Sequence, residues 1–160
     1  MDKVARIIGE MLRDRGCTVS VAESFTSGRV ASTLTSVAGA SEYFMGGVVA
    51  YSEDIKRDVL GVESETIEKN GVVHHTTAIE MAHGISKVMS SDYGLSTTGL
   101  AGPGGGTPEL PVGTVCFAIF GPGFIKSYTE TIEGDREEVV TVSVELLLNR
   151  FKNILANSIE

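Results

Sequence analysis

The sequence predicts an α/β fold in which helices cover both faces of a mixed sheet. Its first half alternates short β-branched runs with segments of helical apolar period, the signature of β-α-β units with parallel strands and right-handed crossovers. Near the other end, two apolar runs, Val112–Phe120 and Phe124–Ile132, are joined by Gly-Pro-Gly, which reads as a hairpin and requires an antiparallel strand. The 160 residues are 42% hydrophobic and 21% charged, the balance of one globular domain with a full core. The reading is a single domain over residues 1–160, without internal repeat or linker.

The elements follow in order. Residues 2–15 place Val4, Ile7, Ile8, Met11 and Leu12 on one helical face, and Gly16 ends that helix. Cys17–Glu23 is a β-branched strand. Thr26–Val37 carries Val30, Leu34 and Val37 at helical spacing, with Thr26 or Ser27 as N-cap. Glu42–Ser52 reads mostly as strand, its Gly46-Gly47 pair marking a bulge or a close backbone approach. Helices are expected near 53–60, 64–70 and 76–90, then a strand over Tyr93–Gly99 and the hairpin. Asp135, followed by Glu138, opens the last helix with a capping-box pattern and an apolar stripe through Val139, Val142, Leu146 and Phe151.

Composition removes several function classes. Net charge is −8 and no Lys/Arg cluster appears, so a nucleic-acid partner is not expected. No apolar run approaches the ~20 residues that cross a bilayer, and the N-terminus lacks a signal-peptide core. The expectation is a cytoplasmic protein with no membrane partner. Cys17 and Cys116 lack CxxC spacing and read as buried reduced thiols among apolar strand residues. His74, His75 and His83 have no ligand spacing, so neither a metal nor another cofactor is expected.

Ligands in open α/β sheets gather beyond the carboxyl ends of parallel strands. Three such ends carry unusual residues: Glu23-Ser24-Phe25-Thr26-Ser27-Gly28, Tyr51-Ser52-Glu53-Asp54-Ile55-Lys56, and the loop from Gly99 through Ala101, Gly102, Gly104 and Gly105. Parallel neighbours would bring all three to one edge. Ser24 lies between a strand and a helix start, where free amides and the helix dipole suit a nucleophile beside an oxyanion hole, or a phosphate. Helix capping by Ser24, Thr26 and Ser27 is the commoner use of such a joint. The loop has neither GxxxxGK[ST] nor GxGxxG, since Thr107 and Glu109 take the third-glycine positions. It is either slack or a donor-rich surface for an anion or a carbonyl. Lys56 is a solvated helix lysine or, if desolvated beside a hydroxyl, a general base. Arg136 reaches an anion or pairs with Glu137 or Glu138 at the surface, and the surface role is the safer reading.

Taken together, the segments AESFTSGRVASTL, GGVVAYSEDIK, GVVHHTTAIEMAHG, TTGLAGPGGGTPELPVGTV and EGDREEVV resemble the C-terminal domain of the competence/damage-inducible protein family CinA. The resemblance runs from about Gly16 to the last helix. It implies a three-layer α/β/α sandwich on a mixed, mainly parallel five-stranded sheet, and frequent dimerisation. It also implies a metal-independent serine amidohydrolase that hydrolyses the carboxamide of nicotinamide mononucleotide, a small-molecule substrate, to nicotinate mononucleotide and ammonia. Ser24 would be the nucleophile, Lys56 the base and Tyr51 a supporting hydroxyl, with Thr26 as fallback nucleophile. Glu23, Thr26, Ser27, Gly28, the Gly99–Gly105 loop and Arg136 would line the substrate site. Relatives usually carry ESCTGG or ESLTGG, so Phe25 and Ser27 depart from the pattern, and Ser27 adds a side chain where φ is expected to favour glycine. That departure keeps two alternatives open, a silent nucleotide-binding regulatory module and an amidase for another amide. Many relatives also carry a larger N-terminal domain that these residues do not include.

Overall fold

A computed structural model describes residues 1–158. Helix α1 (Asp2–Arg15) leads into strand β1 (Val19–Glu23), helix α2 (Arg29–Thr35) and strand β2 (Phe44–Val49). Helices α3 (Glu53–Asp58), α4 (Ser64–Asn70) and α5 (His75–Met89) precede β3 (Tyr93–Gly99), and the hairpin β4 (Thr114–Gly121) and β5 (Phe124–Thr131) leads to α6 (Arg136–Asn157). The sheet order is β2-β1-β3-β4-β5. β1 pairs in parallel with β2 and β3, while β4 is antiparallel to both β3 and β5. The expected mixed five-stranded sheet between helical layers is what forms.

The two faces of the sheet carry side chains of different size. Val19 and Val21 of β1, Leu95 of β3, and Val115, Phe117 and Ile119 of β4 pack with α1, α2 and α6. The alternating residues face α5 and are small: Ala22 on β1, Gly94 and Ser96 on β3, Cys116 and Ala118 on β4. Small residues let α5 sit close. A Cβ on Gly94 would stand 2.1 Å from the Ala82 carbonyl, and one on Gly84 would stand 1.8 Å from that of Leu60. The Ser96 hydroxyl bonds the Ala78 carbonyl at 2.6 Å, so even a polar strand residue is used to dock this helix.

Of the boundaries that move from their sequence positions, three do so for a clear local reason. α2 starts at Arg29 rather than Thr26, because Ser27 (φ 52°) and Gly28 (φ 97°) are consecutive left-handed residues that a helix cannot contain. Neither Thr26 nor Ser27 caps it; Gly28 holds the N-cap position without a side-chain bond. β2 starts at Phe44 because Ala40–Glu42 forms a 3-10 turn. β4 starts at Thr114 because Pro111–Thr114 is a turn with Gly113 at φ 90°. Cys17 precedes β1 and is half-buried rather than a strand residue, while Cys116 is buried in β4; both are free thiols. His74 caps α5, its Nδ1 accepting from the Thr76 amide at 3.1 Å.

The capping box at α6 is complete: the Asp135 carboxylate accepts from the Glu138 amide at 2.9 Å, and Glu138 accepts from the Asp135 amide at 2.7 Å. The first turn it secures carries Arg136. Asp135→Ala is expected to lower stability by about 1 kcal/mol, read as a lower urea midpoint with an unchanged slope.

Candidate active site

β1 is flanked in parallel by β2 and β3, and the order of the strands reverses at β1/β3 as the connections leave for opposite faces of the sheet. That is a switch point, with a crevice beyond the strand ends. Ladder bonds continue past those ends: the Ser24 amide donates to the Thr97 carbonyl at 3.1 Å and the Ala50 amide to the Glu23 carbonyl at 2.7 Å. The three segments singled out from the sequence therefore converge. They enclose a cavity of about 210 Å³ lined by Ser24, Phe25, Tyr51, Lys56, Val72, Val73, Thr98, Gly99, Leu100, Ala101, Gly102, Gly104 and Arg136.

Lys56 is the inward residue of the otherwise solvated helix α3, whose N-cap Ser52 accepts from the Ile55 amide. Only 2% of it is exposed. Its Nζ lies 3.0 Å from Ser24 Oγ and donates to the carbonyls of Ala50 at 2.6 Å and Tyr51 at 3.4 Å. Burial lowers the Lys56 pKa from 10.5 to about 8, against a smaller upward pull from Glu53. A neutral amine has two N–H groups and one lone pair; the two carbonyls take the protons, which leaves the lone pair for the Ser24 hydroxyl.

Around this pair the backbone presents donors. Among the described residues no carbonyl accepts the amides of Phe25, Thr26, Ala101, Gly102, Gly104, Gly105 or Gly106. The glycine loop needs its residue type where the chain is tight: Gly102 has φ 88°, and a Cβ there would lie 2.5 Å from Val112 Cγ1. A Cβ on Gly104 would meet nothing within 4 Å, so that position faces open space.

Arg136 departs from the expected surface pairing. Its Nη1 donates to the Gly102 carbonyl at 2.8 Å and its Nη2 to the Tyr51 hydroxyl at 3.1 Å, joining α6, the glycine loop and the β2–α3 joint across the cavity mouth. Glu137 is taken by Arg29 instead, at 2.5 and 2.7 Å. Tyr51 accepts from Arg136 and keeps its own hydroxyl proton to donate.

Five expected site residues do not line the cavity. Glu23 is 1% exposed and accepts from Thr26 Oγ1 at 2.6 Å and from the Val30 and Ala31 amides at 2.8 and 3.0 Å, so it anchors the start of α2. Thr26, the fallback nucleophile, is fully buried with its proton given to Glu23, a structural hydroxyl rather than a reactive one. Ser27 faces an adjoining hollow of about 230 Å³ shared with Arg29 and Glu137. Gly28 sits at the α2 N-cap. Gly105 also falls just outside the lining, although its neighbour Gly104 is within it. Four lining residues escaped the sequence reading: Val72, Val73, Thr98 and Leu100. The first two are held by Thr98, whose hydroxyl donates to the Val72 carbonyl at 2.6 Å; the one sequence sign was the GVVHH stretch before α5. Among the described residues, no group of three or more His, Cys, Asp or Glu side chains is placed to hold a metal ion.

The chain matches the family model for the CinA C-terminal domain over residues 1–155 and belongs to that family. It is 42% identical over 154 residues to a CinA-like protein of Thermotoga maritima, covering 96% of this chain and 38% of that protein. It is 52% identical over 114 residues to a putative competence-damage inducible protein of Desulforudis audaxviator, covering 71% of this chain and 28% of that protein. The chain thus spans well under half of these relatives' length. Among solved structures, competence damage-inducible protein A (ComA) of Klebsiella pneumoniae superposes with a TM-score of 0.94 at 32% identity, covering 99% of this chain and 98% of that one. The competence/damage inducible protein CihA of Agrobacterium tumefaciens superposes at 0.92 with 36% identity, covering 97% and 94%.

Two stability effects follow from this geometry. Below pH 8 Lys56 is protonated in both folded and unfolded chains, and burying that charge costs about 3 kcal/mol. Between about pH 8 and 10.5 the folded chain loses the proton first, so stability from this group rises with pH, and above 10.5 the cost is gone. Lys56→Met, which removes the charge but also two donors, is expected to stabilise by about 1–2 kcal/mol at pH 7. Thermal unfolding should show the gain shrinking and then reversing by pH 11. Ser27→Gly, which relieves a left-handed serine, is expected to stabilise by about 0.5–1 kcal/mol, measured by denaturant unfolding.

Proposed function

We propose that this domain is a serine amidohydrolase that converts nicotinamide mononucleotide to nicotinate mononucleotide and ammonia. One observation carries the chemistry: a buried lysine with no carboxylate partner, its pKa drawn down to about 8, within hydrogen-bond reach of a serine at a strand end. A lysine so placed serves as a general base near neutral pH, and a serine beside it as a nucleophile.

In this reading Ser24 Oγ attacks the carboxamide carbon while its proton passes to Lys56 Nζ. The free amide of Phe25, which lines the cavity, stabilises the negative oxygen of the tetrahedral intermediate. Lys56 then returns the proton to the departing nitrogen, the C–N bond breaks, ammonia leaves, and Ser24 holds the nicotinoyl ester. Water, deprotonated by Lys56, attacks that ester and releases the carboxylate product with Ser24 restored. The free amides from Ala101 to Gly106, together with Arg136, supply donors for the ribose phosphate. Tyr51 offers its hydroxyl proton at the cavity mouth. Phe25 and Val73 give the pyridine ring apolar walls.

Purified protein is expected to release ammonia from nicotinamide mononucleotide, and Ser24→Ala and Lys56→Ala are each expected to abolish the release. Because the neutral amine is the active form, kcat/KM should rise tenfold per pH unit below about 8 and level off above it. Ammonia release by both variants at the wild-type rate sinks the assignment. Tight binding of the nucleotide without release points instead to a silent binding module, and release only from other amides in the same screen points to a different substrate.

A further inference from the structure

We infer that Glu23, Thr26 and Thr97 form a one-way hydrogen-bond chain that holds the Ser24 turn in its reactive geometry, making Thr26 and Thr97 positioning residues for the nucleophile. The inference rests on the proposed role of Ser24 and extends it to groups that touch neither cavity nor substrate.

Direction follows from counting protons. The Glu23 carboxylate only accepts, and it accepts the Thr26 hydroxyl proton at 2.6 Å. Thr26 has no second proton, so in its 2.8 Å contact with Thr97 it must be the acceptor. The Thr97 proton is thereby committed to Thr26, which leaves the Thr97 oxygen to accept from the Ser24 amide at 3.3 Å. That amide also donates to the Thr97 carbonyl at 3.1 Å, so the serine backbone is held by both acceptors of one residue. Glu23, Thr26 and Thr97 are at most 1% exposed, so the chain is shut off from bulk solvent. Reversing any link would leave a buried hydroxyl facing another donor.

The turn needs such a hold. Ser27 and Gly28 are left-handed, so residues 24–28 carry only two turn bonds, from the Ser27 amide to the Ser24 carbonyl at 3.1 Å and from the Arg29 amide to the Thr26 carbonyl at 3.0 Å, and α2 begins only at Arg29. Yet the amide of Phe25 must keep its aim on a developing oxyanion. Thr26 is tied at its side chain to both Glu23 and Thr97, so its own amide and that of Phe25 are fixed from beneath. Loss of either threonine hydroxyl lets the turn drift.

The test uses the rate at which phenylmethylsulfonyl fluoride labels Ser24, followed by mass spectrometry, beside ammonia release from nicotinamide mononucleotide. Thr26→Val and Thr97→Val keep the side-chain shape and remove one link each. Both are expected to slow labelling and lower kcat by roughly ten- to a hundredfold with KM unchanged, while the rise in labelling rate near pH 8 stays in place because Lys56 is untouched. Thr26→Ser and Thr97→Ser are expected to restore most of the rate. Wild-type labelling rates in both valine variants overturn the inference, as does equal slowing in the serine variants. If Thr26→Val does not fold, the Thr97 pair decides by the same criteria. Wild-type protein that labels at Ser24 but releases no ammonia defeats the amidase reading and leaves this one standing; wild-type protein that does neither defeats both, and if it releases ammonia without labelling, kcat decides by the same criteria.

Discussion

A lysine buried without a carboxylate constrains everything near it. The Lys56 ammonium loses its hydration and gains only carbonyl dipoles and one hydroxyl in return, so its proton is weakly held. The carbonyls that soften this penalty belong to Ala50 and Tyr51, just past the end of β2. They are free to accept because the strand has ended and β2 is the edge of the sheet. A lysine one position earlier on α3 would point to solvent, as exposed Ile55 does. The helix is short and solvated; its single buried residue is the reason for its position.

The close docking of α5 is the second constraint. Glycine, alanine and serine on one face of the sheet let the helix approach until backbone atoms nearly touch. The segment entering α5 is thereby brought over the end of β3, where Thr98 binds the Val72 carbonyl and Val72 and Val73 become a wall of the cavity. On the opposite face large residues hold α6 further out, and its capped first turn extends Arg136 over the mouth. The asymmetry of the two layers thus shapes the site as well as the core.

Features that depend on neighbours in the chain were legible in the sequence. The Tyr93–Gly99 strand, the Ser64–Asn70 helix, the Gly16 stop and the Asp135–Glu138 box all form where their local patterns place them. So did the meeting of three strand ends, which follows from parallel topology alone. What was not legible depends on partners far along the chain. Arg136 binds groups 34 and 85 residues away, and nothing in EGDREEVV distinguishes that from a surface pair. Glu23 looks like a site carboxylate beside Ser24, but its acceptors' work is done seven and eight residues onward, at the start of α2. The late start of α2 was hidden because one of the two left-handed residues is a serine, where sequence rules look for glycine.

In the proposed reaction, chemistry and holding fall to different parts of the backbone for a physical reason. The reacting pair needs fixed distances, and Ser24 and Lys56 stand within a few residues of strand ends already locked by the sheet. An anionic substrate held by a protein of net charge −8 needs donors that cost little to leave unoccupied. Loop amides meet that need better than clustered lysines, which would repel one another in the empty site and raise the charge near Lys56. A cation closer to Nζ would push its proton off still more easily, weakening the amine as a base. Arg136 avoids this by reaching the cavity from its rim, with Tyr51 and the Gly102 carbonyl between it and the lysine's corner of the sheet. In the proposed reaction the glycine loop would therefore be the part of the site that binds without disturbing the titration on which the chemistry depends.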